Sequence, residues 1–133
     1  MNTTAKEIMS TDLIHGTDSM TIEDALKVLI NSRITGLPVV DKKGKLIGVM
    51  SEYDILLHIS KAKSMKHEVF QEPITFSPTA DSITEDTPIT EIMKQFIELK
   101  FRRLPVVDSS GKLVGIITRR DLMRVFYYRA RLS

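Results

Sequence analysis

The feature that most constrains this chain of 133 residues is an internal repeat. Residues 37–54 recur as residues 104–121, an offset of 67, and ten of the eighteen aligned positions are identical. Several of the remaining positions exchange one aliphatic side chain for another. Agreement of this extent does not arise by chance, so the chain is a tandem duplication and both copies are expected to fold alike.

Each copy predicts the element order β-α-β-β-α. In the first copy, an extended stretch near 13–14 precedes an apolar stripe at helical spacing over 22–30. Two apolar runs, 37–40 and 46–50, flank a glycine turn and predict a β-hairpin, and a second helix follows over 52–60. The same elements are predicted in the second copy near 82–83, 89–97, 104–107, 113–117 and 119–129. The predicted fold class is therefore α/β, present twice.

The stretch between the copies predicts a linker. Residues 61–80 are polar and contain Pro73 and Pro78. We therefore expect a first repeat over 1–60, a linker over 61–75 and a second repeat over 76–133. A unit of about 60 residues has a marginal core by itself. The two copies are thus expected to pack sheet to sheet about a pseudo-two-fold axis, which creates two equivalent clefts.

Composition excludes several classes of protein. The chain has no cysteine, which rules out disulfides, thiolate zinc sites and a cysteine nucleophile. No secretory signal is visible, and no apolar run approaches the roughly 18 residues of a membrane span. We expect a soluble, cytoplasmic protein without a membrane partner. Residues 101–133 contain eight Lys or Arg and two acidic residues. The net charge of this third of the chain is therefore +6, and that of the rest is −4. Such a field attracts an anion.

The residues best suited to bind a ligand lie where each hairpin meets the following helix. Residues 48–54 and 115–121 share the pattern Gly-x-x-[Ser/Thr]-x-x-Asp. One interpretation is a helix cap, in which the hydroxyl and the carboxylate bind backbone amides. The other is a nucleotide site, because a helix start attracts phosphate and a carboxylate can accept both hydroxyls of a ribose. On that second interpretation, the glycine allows a ligand to approach the backbone closely. Repetition of the pattern beside the basic segment favours a ligand.

Together these motifs resemble a tandem pair of CBS domains, regulatory modules named after cystathionine β-synthase, in the stand-alone form called a Bateman module. The resemblance covers nearly the whole chain: residues 5–10 look like the family's first segment, and Leu-Pro-Val-Val-Asp with the glycine pattern is found twice. It implies a regulatory adenosine ligand (AMP, ADP, ATP or S-adenosylmethionine) in the clefts and no covalent cofactor. It also implies a homodimer that signals to a separate, unknown target protein.

The same resemblance implies the residues of the site. Asp54 and Asp121 would hold ribose hydroxyls, while Ser51 and Thr118 would face ribose or phosphate. In the first copy the other implied positions are Gly36, Leu37, Pro38, Ile14 and His15, the last two beside the base. In the second copy they are Arg102, Arg103, Leu104, Pro105, Ile117, Arg119 and Arg120, with Ile83 and Thr84 beside the base.

The two copies differ in charge at the phosphate end. The second copy has Arg102, Arg103, Arg119 and Arg120 where the first has Thr35, Gly36, Glu52 and Tyr53. Arginines attract phosphate and can bind it through two parallel hydrogen bonds, whereas a glutamate repels it. We therefore expect the Thr118/Asp121 site to bind a phosphate-bearing nucleotide and the Ser51/Asp54 site to be weaker. Aligning Asp12 with Asp81 further predicts that the second copy is two residues shorter beside the base.

Other functions have less support in the sequence. There is no P-loop and no Gly-x-Ser-x-Gly elbow, and Asp54 and Asp121 belong to separate clefts, so no enzyme is predicted. His15, His58 and His67 lack zinc spacing, so no metal is predicted. The aromatic and arginine residues of 126–131 could bind nucleic acid, although packing of the last helix explains them better. The main alternative is a dimerisation or docking module whose clefts stay empty.

Overall fold

The computed structural model describes residues 3–62, 67–78, 81–99 and 101–132. The chain forms two compact units. The first unit is Ile14–Ala80, and the second unit combines Met1–Leu13 with Asp81–Ser133. Among the helices in the described ranges, none is both long and apolar enough to cross a membrane.

The first unit contains the element order that the sequence predicts. It consists of β1 (Gly16–Thr17), α2 (Ile22–Ser32), β2 (Gly36–Val40), β3 (Leu46–Ser51), α3 (Glu52–Lys61) and a 3-10 helix (His67–Gln71). The sheet order is β1-β2-β3, in which β1 runs parallel to β2 and β3 antiparallel to it.

The second unit repeats this arrangement and adds a short N-terminal helix. Its elements are α1 (Ala5–Ile8), β4 (Ile83–Thr84), α4 (Ile89–Glu98), β5 (Arg103–Val107), β6 (Leu113–Thr118) and α5 (Arg119–Leu132). The sheet order is β4-β5-β6, with the same parallel and antiparallel pairings. The predicted α/β fold, in two repeats, is confirmed.

Local chemistry explains where these elements begin and turn. Thr21 starts α2 with a capping box, because its side chain accepts from the Asp24 amide while the Asp24 carboxylate accepts from the Thr21 amide, both at 3.2 Å. The hairpin turns require Gly44 and Gly111, whose φ angles of 82° and 86° lie in the left-handed region.

The turn of the second hairpin predicts an acid-sensitive contribution to stability. Hydrogen bonds from the Ser110 side chain and the Lys112 backbone hold the pKa of Asp108 below its ordinary value. A carboxylate with a lowered pKa stabilises the fold above its unfolded pKa of about 3.9, and this contribution is lost as pH falls through the folded pKa. Asp108→Asn should therefore flatten the decline in stability below about pH 4. Urea unfolding at several pH values measures this decline.

Ser110→Ala is the matched control for that prediction, because it removes the largest cause of the shift and keeps the carboxylate. It should reduce the acid sensitivity only in part. Identical pH slopes for the wild type and Asp108→Asn would contradict the prediction.

The helices pack their apolar stripes on one face of each sheet. The core of the first unit is formed by Ile22, Ala25, Leu29, Leu37, Val39, Met50, Ile55 and Ile74. The core of the second unit is formed by Ala5, Ile83, Ile89, Ile92, Phe96, Leu104, Val106, Ile117 and Leu122. The end of each predicted stripe departs from this pattern, because Ile30 is 69% exposed and Ile97 is 67% exposed.

The segment predicted as a linker belongs to the first unit. It contains the 3-10 helix, and Val69 and Ile74 are buried. Ser77 forms a two-way backbone bridge with Val49 on β3, at 3.1 and 3.0 Å. In the second unit, Ser10 forms the matching bridge with Ile116 on β6. The units therefore divide at 13/14 and 80/81, because each bridging segment completes the edge of a hairpin in its own unit.

Candidate ligand-binding site

The junction between β3 and α3 is a capping box. The Asp54 Oδ2 atom accepts from the Ser51 amide at 2.8 Å and from the Ser51 hydroxyl at 3.0 Å. In return, the Asp54 amide donates to Ser51 Oγ at 3.2 Å. Oδ2 is thus occupied by the helix start, and Oδ1 is the oxygen left to face a ligand.

The junction between β6 and α5 reproduces this geometry. The Asp121 Oδ2 atom accepts from the Thr118 amide at 2.8 Å and from the Thr118 hydroxyl at 3.1 Å, and the Asp121 amide donates to Thr118 Oγ1 at 3.3 Å. The helix-cap interpretation therefore describes both copies. It does not compete with ligand binding, because each box positions one carboxylate and leaves its second oxygen on the other side.

The two junctions differ in the residue across the hairpin. Strand register places Arg103 directly opposite Thr118, whereas Gly36 lies opposite Ser51. Burial lowers the pKa of the half-buried Arg103 guanidinium, and the nearby charge of Arg102 lowers it further. Arginine still carries its charge at neutral pH. The second unit thus concentrates positive charge beside its capping box, and an anion there would relieve the repulsion between the two guanidinium groups.

The four arginines predicted for this site do not all lie on one side. The Arg119 Nε atom donates to the Phe101 carbonyl at 2.9 Å. Residues 119 and 121 are about 200° apart around α5, so Arg119 points away from the side of the helix that carries Asp121. Its first-copy counterpart Glu52 lines the groove between α2 and α3. Arg120, at about 100° from Asp121, remains a neighbour of the junction.

Sequence reasoning missed one charged neighbour of Asp121. Arg124 Nη1 lies 3.7 Å from Asp121 Oδ1, and the side chain of Asp121 is only 13% exposed. Arg124 could have been found from its spacing, because residues three apart share a face of a helix. In the first copy this position is Leu57, so Arg124 adds to the charge difference between the two junctions.

Several residues predicted to line the clefts lie inside their own units. Leu37, Leu104 and Ile117 are fully buried in the cores. Gly36, Pro38, Pro105 and Ile83 are buried as well, whereas Ile14, His15 and Thr84 are exposed. At these buried positions, a ligand would therefore contact the backbone rather than the side chains.

The predicted two-residue difference beside the base is wrong. Gly16 pairs with Val39 and Ile83 with Val106, so both copies keep the offset of 67 through this strand. The counterparts of Ile14 and His15 are therefore Asp81 and Ser82, both exposed, rather than Ile83 and Thr84. The alignment of Asp12 with Asp81 is misleading because both segments happen to contain an aspartate. Only the pairing of the strands shows the correct register.

The interpretation of the two pattern glycines as points of ligand approach is also wrong. The space beside Gly48 is filled by the Ser77 carbonyl and the Phe76 ring, and the space beside Gly115 by the Met9 side chain. Because these glycines have no side chain, the segments that contain Ser77 and Met9 can pack directly against the hairpins. Their presence in the pattern therefore reflects packing of the hairpin edge.

A cavity of about 650 Å³ adjoins the first junction within the first unit. Its walls are one face of α3, which includes Asp54 and His58, and residues 72–78. His58 Nε2 lies 2.6 Å from Glu72 Oε2, a contact that ties α3 to the segment after the 3-10 helix. The histidine therefore has a structural partner.

Comparison with known proteins identifies the repeat. The CBS domain family matches residues 5–61 and 67–128, one match for each copy. The chain belongs to the CBS domain family. The matched residues include both capping boxes.

Related proteins and structures agree with this assignment. The chloroplastic CBS domain-containing protein CBSX1 of Arabidopsis thaliana is 36% identical over an alignment of 129 residues. The match covers 78% of this chain and 55% of that protein. The chain thus spans about half the length of this relative. The crystal structure of CBSX2 in complex with AMP has a TM-score of 0.78 at 34% identity, covering 96% of this chain and 98% of that one.

A third relative was solved with different adenosine ligands. The CBS domain pair of protein MJ0100, in complex with 5'-methylthioadenosine and S-adenosyl-L-methionine, has a TM-score of 0.75 at 29% identity. It covers 97% of this chain and 99% of that one. Relatives of this CBS pair therefore bind adenosine ligands both with and without a phosphate.

Proposed function

We propose that this CBS pair is a regulatory module that binds a phosphate-bearing adenosine ligand, such as AMP, ADP or ATP, beside Thr118 and Asp121. The observation that carries the proposal is the placement of Arg103 across the hairpin from the Thr118/Asp121 capping box. The box presents a carboxylate oxygen for the ribose, and the arginine presents a cation for the phosphate. The AMP complex of CBSX2 supports the ligand class.

The Ser51/Asp54 junction is proposed to be the weaker site for such ligands. It holds an equivalent carboxylate but pairs it with Gly36 and Glu52 in place of arginines. A ligand without phosphate, of the kind bound by MJ0100, suits this junction better. Ligand binding regulates a separate target protein only if the ligand prefers one conformation of the module over another.

A thermal-shift panel tests the proposed ligand. Binding at about one hundred times Kd stabilises a protein by about 2.7 kcal/mol, which is several degrees for a chain of this size. AMP, ADP and ATP should raise the Tm, and GTP should raise it less. If no adenosine compound raises the Tm at millimolar concentration, the module does not sense nucleotides, and docking with empty clefts becomes the better function.

Arg103→Ala tests the assignment of the phosphate position. We expect about 10- to 100-fold weaker binding of AMP, because a hydrogen bond to a charged group contributes about 1.5–3 kcal/mol. Binding of 5'-methylthioadenosine, which has no phosphate, should change little. Calorimetric titration of both ligands measures the difference, and Lys112→Ala, a cation removed at the hairpin turn, is the control. Equal losses for the two ligands would mean that Arg103 does not face phosphate.

We also propose that the module is a homodimer. The support is the family resemblance together with large exposed apolar side chains on the helices of both units. Light scattering on the purified protein measures the assembly. A monomer at micromolar concentration would contradict this proposal without affecting the proposed ligand.

A further inference from the structure

The cavity beside the first junction carries charges of both signs on its walls. Its volume of about 650 Å³ lies within the range of small-ligand sites. Besides Asp54, its walls include Lys61 on α3 and Glu72 on the facing segment, with Phe76 as an apolar surface. We call it the α3 cavity. A cation and an anion on two facing walls suit a ligand group that itself carries both charges.

His58 holds one of these charges in place. Its Nε2 atom lies 2.6 Å from Glu72 Oε2, and its side chain is only 15% exposed, whereas that of Glu72 is 52% exposed. The backbone of Glu72 is fixed as well, because its carbonyl accepts from the Ile22 amide at 2.9 Å. The contact with His58 engages Oε2 and leaves Oε1 to accept from a ligand.

The second unit lacks this set of charges. It has uncharged side chains at the positions of His58, Lys61 and Glu72, namely Val125, Tyr128 and Thr3. The first two counterparts follow from the offset of 67. Thr3 is the counterpart of Glu72 because the carbonyls of both accept from the first amide of α4 and of α2, each at 2.9 Å. The charged α3 cavity is therefore particular to the first unit.

The charges lie within reach of a ligand bound at Asp54. His58 follows Asp54 by one helical turn, about 6 Å along the axis of α3. Both residues line the same cavity. A substituent on the 5' position of a ribose held by Asp54 Oδ1 can therefore extend along α3 to Glu72.

We propose that the α3 cavity binds the amino acid tail of an S-adenosyl ligand whose ribose is held by Asp54. This inference rests on the proposed function of the first junction. The Lys61 ammonium binds the carboxylate of the tail, and Glu72 accepts from its amino group. His58 is a positioning residue for Glu72. The first unit thereby distinguishes such a ligand from 5'-methylthioadenosine, which ends at a methyl group.

Two ligands that differ only in the tail test this assignment. 5'-Methylthioadenosine and S-adenosylhomocysteine share the thioadenosine, and only the second has the amino acid group. Calorimetric titrations are made in the Asp121→Asn chain, so that the first junction dominates. S-adenosylhomocysteine should bind about tenfold more tightly than 5'-methylthioadenosine. Lys61→Met and Glu72→Gln should each remove most of this preference and leave the affinity for 5'-methylthioadenosine nearly unchanged.

The design separates recognition of the tail from damage to the fold. Glutamine at position 72 keeps a carbonyl oxygen that can accept from His58, so the segment stays attached to α3. Glu68→Gln is the matched control, because it removes an exposed carboxylate of the 3-10 helix that is not among the walls of the cavity. It should leave the ratio of the two affinities unchanged. A general loss of stability affects both ligands alike and does not change this ratio.

The outcomes distinguish this inference from the function on which it rests. Equal affinities for the two ligands, or a preference that survives both Lys61→Met and Glu72→Gln, would overturn the tail assignment and leave the adenosine site in place. Displacement of S-adenosylhomocysteine by methionine at a similar concentration would also overturn it, because the cavity would then bind a free amino acid. A wild-type chain that binds neither AMP nor any thioadenosine would overturn the proposed function and this inference together.

Discussion

Asp121→Asn is expected to reduce the affinity for AMP about 100-fold, while Asp54→Asn is expected to change it little. The Oδ1 atom of Asp121, which the capping box leaves open, would accept from both hydroxyls of the ribose, and each hydrogen bond to a charged group contributes about 1.5–3 kcal/mol. Asparagine keeps one oxygen for the capping box and replaces the other with an amide donor, which cannot accept from a hydroxyl. At about one hundred times the wild-type Kd, ligand stabilisation should fall from about 2.7 to about 0.4 kcal/mol.

The two variants are matched controls because the capping boxes are nearly identical. The carboxylate accepts from the backbone amide at 2.8 Å in both, and from the hydroxyl at 3.0 Å in the first and 3.1 Å in the second. Any effect of the substitution on the helix start is therefore shared, and the difference in AMP affinity reports the ligand. Calorimetric titration measures it. Equal losses in the two variants would contradict the asymmetry between the junctions.

Gly48→Ala is expected to destabilise the protein by about 3 kcal/mol, and Gly115→Ala by about 1 kcal/mol. A Cβ on Gly48 would collide with the Ser77 carbonyl and, at 2.5 Å, with the Phe76 ring. The Ser77 backbone cannot retreat without breaking its two-way bridge to Val49. A Cβ on Gly115 would collide with the Met9 Sδ and Cγ atoms, which a change of rotamer moves, and would lie 3.0 Å from Met9 Cβ, which needs only a small shift.

Urea unfolding of the two glycine variants tests this difference. Met9→Ala should cost less stability in Gly115→Ala than in the wild type, because it removes the Cγ and Sδ atoms that collide and keeps only the Cβ atom at 3.0 Å. Phe76→Ala should not restore Gly48→Ala, because the Ser77 carbonyl remains in place. If Gly115→Ala were as damaging as Gly48→Ala, the distinction between backbone and side-chain contacts would be wrong.

The helix starts show how much of the candidate site local chemistry determines. A hydroxyl at the N-cap and a carboxylate three residues later form a box from residues within one turn of each other. Ser51, Asp54, Thr118 and Asp121 could therefore be identified from the pattern alone. The pairing of Arg103 with Thr118 does not follow from the turn, because a bulge between Val106 and Val107 shifts the register of the hairpin by one residue.

The burial of the cleft positions shows where the same reasoning falls short. Leu37 and Leu104 belong to a motif that the family resemblance places at a ligand, yet their side chains are in the cores. A strand buried on both faces carries no alternation that separates core positions from ligand positions. Similarly, Arg119 and Arg120 are adjacent in the sequence, and only the helix directs them to different sides.

The sequence by itself determined the duplication, the α/β repeat, the capping boxes and the charge difference between the copies, because each depends on residues close together in the chain. Tertiary structure alone decided which unit each bridging segment joins. Ser10 and Ser77 are attached by backbone hydrogen bonds to Ile116 and Val49, and such bonds leave no side-chain pattern to read. It also decided that Ile30 and Ile97, members of regular apolar stripes, stay exposed. Periodicity identifies the apolar side of a helix, whereas only packing shows how much of that side the rest of the chain covers.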